Sequence, residues 1–238
     1  MARRIGWARV GRVLLGGAAV GFATLAYTWV TLPDVRPLRR ERPVSTAFMR
    51  LRAAEAVAAG RPYRQQQRWV AYARVSPALV QAVRLAEDAA FWDHDGIDLD
   101  EIRASIQDKL TKGSRLRGAS TITQQLAKNL YLSPSRSPYR KVSELYITRL
   151  LEAELTKTRI LELYLNLIEW GDGIWGAEAA AQVYFGVSAA DLSPEQAALL
   201  AAAISNPRLY SPARPSTALL RRQQRILARM GTAGGGQP

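Results

Sequence analysis

The chain has no cysteine and a single histidine, His94. Disulfides and thiolate metal sites are therefore excluded, and an oxidising compartment does the protein no harm. A zinc centre needs three or four His, Cys or carboxylate ligands, which one His without Cys does not favour. Acids are scarce as well, 20 against 33 Lys and Arg, leaving a formal net charge of +13. Such a balance favours polyanions: nucleic acid, anionic lipid head groups or phosphorylated substrates. Alternating strand patterns are nearly absent, and no repeat of solenoid period occurs, so a mainly α body is expected. What is present is 238 residues at 48% apolar content, enough for one ordinary domain plus an appendage.

Charge is missing altogether from Val13 to Pro33 (VLLGGAAVGFATLAYTWVTLP). At ~1.5 Å per helical residue this run spans roughly 30 Å, the thickness of a bilayer's hydrocarbon core. Arg3, Arg4, Arg9 and Arg12 precede it, and Tyr27 and Trp29 sit near its far end, as interfacial aromatics do. A cleaved signal peptide has a shorter apolar core and a small-x-small exit, so a retained anchor is expected. The division that follows is 1–33 for a cytoplasmic N-terminus and transmembrane anchor, and 34–45 for a polar linker broken by Pro37 and Pro43. The body is then 46–230, and 231–238 a disordered tail. An anchor and the lack of a recognised motif argue against nucleic acid as partner.

Helix signals dominate the body. Thr46 to about Ala59 suits a short amphipathic helix, and 61–75 an extended segment. Ser76-Pro77 places an N-cap before a proline at the first helical position, with Leu79, Val83, Ala86 and Ala90 as one stripe. Asp98 with Glu101 resembles a capping box opening a helix whose Leu99, Ile102, Ile106 and Leu110 are expected to face inward, ending at Gly113. Ser137-Pro138 opens a long helix to about Thr156, and Thr158 is expected to open the next. Gly171, Gly173 and Gly176 mark a loop. Ser193-Pro194-Glu195-Gln196 begins an Ala-rich helix that stops before Asn206-Pro207.

Three stretches could carry chemistry. Between Leu85 and Glu101 stand Glu87, Asp88, Asp93, Asp95, Asp98, Asp100 and Glu101, with no basic residue among them. An EF-hand is excluded: with Gly96 at position six, Phe91 falls at one and Ile102 at twelve. Glu87 borders the apolar stripe of its helix and lies near the C-terminal end, where the dipole disfavours negative charge. Both effects raise its pKa and suit a carboxylate that must accept a proton. The competing reading is a capped, solvated helix end. In GASTITQQLAKNL, residues 118–130, Thr121, Gln125 and Lys128 share one helical face. Gly118-Ala119-Ser120 can turn backbone N–H groups toward an anion, although an ordinary capped helix fits the spacing too. Residues 136–157 place Arg140 and Lys141 one turn before Glu144. Exposed pairs of this kind contribute only ~0.3–0.5 kcal/mol, but turned into a cleft the same group frames a diphosphate.

Taken together, EDAAFWDHDGID, GASTITQQLAKN, RKVSELYITRLLE and KTRILELYLNLIEWGDGIWGAEAAAQVYFG resemble, in order and separation, the signature blocks of the peptidoglycan glycosyltransferase family. That family includes the glycosyltransferase domains of class A penicillin-binding proteins, and the resemblance runs from about Ala47 to Pro212. No Ser-x-x-Lys and no Lys-Thr-Gly occurs, so a transpeptidase partner domain is not indicated. The resemblance implies a mainly α, lysozyme-like lobe with a smaller membrane-associated jaw, behind one transmembrane helix. It implies an enzyme of the inner membrane, facing the periplasm, that polymerises lipid II with release of undecaprenyl diphosphate. Glu87 would be the general base and Glu144 the second family glutamate, near the diphosphate. Asp88, Phe91, His94, Ser120, Thr121, Gln124, Gln125, Lys128, Arg136, Arg140 and Lys141 would shape the substrate site. No organic cofactor is implied; a divalent cation, Mg or Mn, is allowed beside Glu144. Partners implied are lipid II, the growing lipid-linked strand, the membrane, and cell-wall synthesis or division proteins. Ala119 replaces a frequent glycine, and Ser143 is polar where some members carry lysine. A glycan-cleaving enzyme of lysozyme type would share the fold and a single Glu without needing the Gln125–Lys128 and Arg140–Glu144 groups. A silent anchored scaffold could lose Glu87 or Glu144, and both are present.

Overall fold

The computed structural model describes residues 7–113, 120–133 and 137–233. Ten helices lie among them: α1 (Trp7–Val30), α2 (Ala47–Ala58), α3 (Pro77–Glu87), α4 (Leu99–Lys112), α5 (Ile122–Tyr131), α6 (Pro138–Glu154), α7 (Lys157–Leu167), α8 (Ala177–Phe185), α9 (Pro194–Ala203) and α10 (Thr217–Ala233). A mainly helical body is therefore present, as expected. The core is built where α3 packs on α9 and α10, and where α5 packs on α6, α7 and α2. Leu79, Val83, Phe91, Ile122, Leu126, Leu151, Ile160 and Tyr164 are fully buried within it. The alanines of α9 are buried on every side, which is what lets α3 and α10 approach it closely.

A small sheet went unexpected: β1 (Gln66–Gln67), β2 (Glu169–Gly171) and β3 (Ile174–Trp175), in the order β1-β3-β2. β1 runs parallel to β3, and β2 antiparallel with a register shift between Glu169 and Gly171. Gly173 turns the chain with φ +74°, and a Cβ there would meet the Arg64 carbonyl oxygen at 2.4 Å.

Caps explain most helix starts. Ser137 accepts from Arg140 N, Asp98 from Glu101 N, and Ser193 closes a reciprocal box with Gln196. Two starts differ from expectation. The helix after α6 is capped by Thr156, whose hydroxyl accepts from Arg159 N, not by Thr158. Ser76 occupies the cap position of α3, yet its hydroxyl donates to the Leu192 carbonyl at 3.0 Å and so ties α3 to the loop before α9.

The largest correction concerns α4. Its expected inward face is turned to the outside: Leu99, Ile106 and Leu110 are 56%, 49% and 80% exposed. No other described helix packs closely along α4, so the amphipathic period has no core to meet. The stretch 34–45 also departs from a free linker. Val35 and Leu38 are buried, Arg39 pairs with Glu154 at 2.6 Å, and Arg159 Nε donates to the Leu38 carbonyl at 2.8 Å. α10 extends to Ala233, three residues into the expected tail; residues 114–119 and 234–238 lie outside the described residues.

α1 forms a helix over the uncharged run, with Leu14, Leu15, Val20 and Phe22 exposed. Its C-terminal end meets α6, where the rings of Tyr27 and Tyr139 stand 6.0 Å apart. Among the described residues no helix is long and apolar enough to cross a membrane. The side chains of residues 7–10 and of Val13, Thr24, Thr28 and Trp29, all within α1, lie outside that description.

Candidate active site

Glu87 is the last residue of α3, and the chain turns sharply at Asp88 into the acidic loop. Asp88 is buried and occupied on both oxygens. Oδ1 stands 3.0 Å from His94 Nε2, and Oδ2 accepts from Ile122 N at 3.0 Å. Because His94 Nδ1 accepts from Gly96 N at 3.1 Å, the ring proton belongs on Nε2 and is donated to Asp88. The Thr121 hydroxyl donates to the Gly96 carbonyl at 2.7 Å while accepting from Gln124 N. Gln124 returns Oε1 to Thr121 N, so both residues form the capping box of α5. The acidic loop and the first turn of α5 are thus one hydrogen-bonded unit. A carboxylate at a helix N-terminus also meets a favourable dipole.

α5 then aims its polar face at Glu87. Gln125 Nε2 donates to Glu87 Oε2 at 2.7 Å, and Gln125 Oε1 accepts from the Tyr164 hydroxyl at 3.0 Å. The order of donors fixes the amide and leaves Glu87 with a neutral partner, not an ion pair. Burial pushes the Glu87 carboxyl above the usual carboxylate range, and the Gln125 hydrogen bond and the charges of Arg222 and Lys128 offset part of that rise. Lys128, one turn on, is pushed down by burial, with Glu144 opposing and Arg140 reinforcing the shift. Its ammonium lies 5.7 Å from the Phe48 ring centroid of α2.

The second cluster sits on α6. Glu144 is 4% exposed; Oε2 accepts from Arg140 Nη1 at 2.5 Å and Oε1 from Lys141 Nζ at 2.6 Å. Among the described residues the buried Arg140 Nε meets no acceptor, and it is a donor suited to an incoming phosphate oxygen. Lys141 is half exposed. Beside Glu87 and Asp88 opens a cleft of about 590 Å³ whose wall includes Ser120, Thr121, Asp98 and Arg229.

Of the expected site residues, Glu87, Asp88, His94, Thr121, Gln124 and Gln125 converge directly, and Ser120 joins them on the cleft. Phe91 is buried against Trp92, with ring centroids 5.1 Å apart. Lys128, Arg140, Lys141 and Glu144 form the adjoining cationic group. Arg136 and the Gly118-Ala119 turn lie outside the described residues. Tyr164, Phe48, Arg222 and Arg229 were not anticipated. Tyr164 was in view within ILELYLN, but nothing in the spacing marks its hydroxyl as a support for Gln125. α10 reaches the site only through tertiary packing.

A divalent ion does not fit Glu144, whose two oxygens already accept from two cations. Among the described residues the one group with metal-ligand potential is Asp88, His94 and Asp98, with ligand atoms within 4.8 Å. There Asp88 and His94 are committed to each other and to Ile122 N and Gly96 N, and Asp98 caps α4.

The arrangement can deprotonate a hydroxyl at Glu87 and receive an anionic leaving group at Lys128, Arg140 and Lys141. A transglycosylase family model matches residues 54–231, and the chain belongs to that family. Its relatives narrow the class. Biosynthetic peptidoglycan transglycosylases of Dechloromonas aromatica and Nitrosospira multiformis are 48% and 46% identical over 191 residues, covering 80% of this chain and 83% of each relative. The namesake from Azoarcus sp. is 47% identical over 205 residues, 86% of this chain and 87% of the relative.

Proposed function

We propose that the chain is a peptidoglycan glycan-strand polymerase that transfers the growing lipid-linked strand onto the 4-hydroxyl of lipid II. The observation that carries this reading is the pairing of a part-buried carboxylate held by a neutral amide, Glu87, with a separate cationic group at Lys128, Arg140 and Lys141. Glu87 takes the proton of the 4-hydroxyl as that oxygen attacks the donor's anomeric carbon. The bond from that carbon to the diphosphate breaks on the opposite face, giving a β-1,4 link with inversion and releasing undecaprenyl diphosphate. The leaving group's negative charge develops against Lys128, Arg140 and Lys141. Glu144 contacts the cations, not the sugar, and holds Arg140 and Lys141 in place for the diphosphate.

Membrane attachment belongs to the same proposal. The uncharged Val13–Pro33 run, the helix α1 over most of it and the exposed apolar face of α4 support an inner-membrane anchor and a jaw that dips into the bilayer. The catalytic body then lies on the periplasmic side.

The test is to incubate the purified chain in detergent with labelled lipid II, and separately with preformed glycan. Long glycan from lipid II is expected. Cleavage of glycan without polymer would replace this reading with a lytic one, and neither activity would favour a silent scaffold.

A further inference from the structure

Lys157 has no part in the chemistry above. It opens α7, remote in sequence from the acidic loop, yet its ammonium is spent on that loop. Nζ donates to the His94 carbonyl oxygen, pairs with Glu152 Oε1 at 2.9 Å, and lies 4.6 Å from the Phe91 ring centroid. Its side chain is mostly buried, and Glu152 more so. Glu152, on α6, is itself held by the Thr123 hydroxyl of α5 at 2.5 Å. The loop is drawn tightly onto this knot: at Gly96, φ +80°, a Cβ would come within 2.6 Å of Thr148 Cγ2 and 2.9 Å of Glu152 Cγ. Arg149 adds a hydrogen bond to the Asp95 carbonyl at 3.1 Å. Helices α5, α6 and α7 therefore converge on the one loop that carries Asp88, Phe91 and His94.

We propose that Lys157 is a positioning residue for Glu87. By holding the His94 carbonyl and the Phe91 ring, it keeps the His94 imidazole against Asp88 and Asp88 against the first turn of α5. Glu87, one residue before Asp88, then stays in line with Gln125. The inference rests on the reading of Glu87 as the base. A cation is the right group for the place because it can donate to a carbonyl and a carboxylate and still face an aromatic ring.

The experiment compares the full chain with Lys157→Met and Lys157→Arg in two readouts. In lipid II polymerisation, Lys157→Met is expected to lose about 10–100-fold in kcat with KM within about three-fold, the scale of a misplaced catalytic group. The acid limb of its kcat/KM profile is expected to move down toward 4.5, the ordinary glutamate value, because a loosened loop lets water reach Glu87. Asp88 on the loop, Gln125 and Lys128 on α5, Tyr164 on α7 and Arg222 on α10 face Glu87 and are the same in every variant. Lys157→Arg, which keeps charge and ring contact, is expected to recover part of kcat. The second readout is NMR of the single imidazole. His94 is expected as one Nε2–H tautomer in the wild type and as a mixture in Lys157→Met. Wild-type kcat in Lys157→Met, a lowered kcat with an unmoved acid limb, or an unchanged His94 spectrum would each overturn the proposal. If Lys157→Met does not fold, Glu152→Gln loosens the same ammonium, and an unmoved limb and tautomer there would overturn it equally. Absence of polymer from the wild type would sink the glycosyltransferase reading instead, and the tautomer comparison still decides the clamp.

Discussion

Glu87 and Glu144 are both shielded glutamates on helices of the same body, and they are treated in opposite ways. Glu144 sits in the second turn of α6 with a guanidinium and an ammonium on its two oxygens. Glu87 sits at the last residue of α3, beside a negative helix end, with a neutral amide on one oxygen and cations only at longer range. The first carboxylate is matched in charge and organises its partners. The second is left under-matched, and its proton affinity rises. On the proposed assignment, the base and the structural anion are told apart by what their neighbours supply.

The contrast predicts unequal damage. Glu87→Gln should cost about 10²–10⁴-fold in kcat, since it removes the proton acceptor while its carbonyl can still accept from Gln125. The fold should survive and gain stability at neutral pH. The sign follows from burial raising the folded-state pKa: between 4.5, the ordinary glutamate value, and the raised value the native state holds more protons than the unfolded one, so stability falls as pH rises. Removing the carboxylate therefore raises the melting temperature at pH 7, and the gain should vanish below about 4.5 in melts run across pH.

Glu144→Gln should do the reverse, destabilising the protein by about 1–3 kcal/mol because Arg140 and Lys141 lose a charged acceptor. The figure is held low because Lys141 is half exposed. Thermal unfolding checks the loss, and a steeper salt dependence of lipid II binding should accompany it. Tyr164→Phe should be milder, about 3–10-fold in kcat, the worth of one hydrogen bond that orients Gln125. Leu110→Glu on α4 should leave melting within about 0.5 kcal/mol, since the side chain is exposed, while reducing cosedimentation with anionic vesicles.

Much of the helical frame was legible because capping chemistry is local. Ser137-Pro138, Asp98, Gly113 and the Ser193–Gln196 box each settle a terminus from a few neighbouring residues. Ser76 misled because a hydroxyl can serve a distant carbonyl as well as its own helix, and Thr158 because Thr156 offered the same chemistry two residues earlier. The stripe of α4 has the helical period, yet the inward face expected of it is exposed, because periodicity does not say what an apolar face meets. Strands of two or three residues leave no period to read. At the site, Glu87, Gln125 and the Arg140–Glu144 group were visible as spacings within single helices. The His94–Asp88–Ile122 relay and the approach of α10 were not, since they join segments the chain separates.

Whether Glu87 is the under-matched base is decided by the pH dependence of kcat/KM for lipid II polymerisation. A wild-type acid limb above 4.5, with its activity lost in Glu87→Gln at every pH, is the predicted result. A limb at or below 4.5, or near-normal polymerisation by Glu87→Gln, would contradict it.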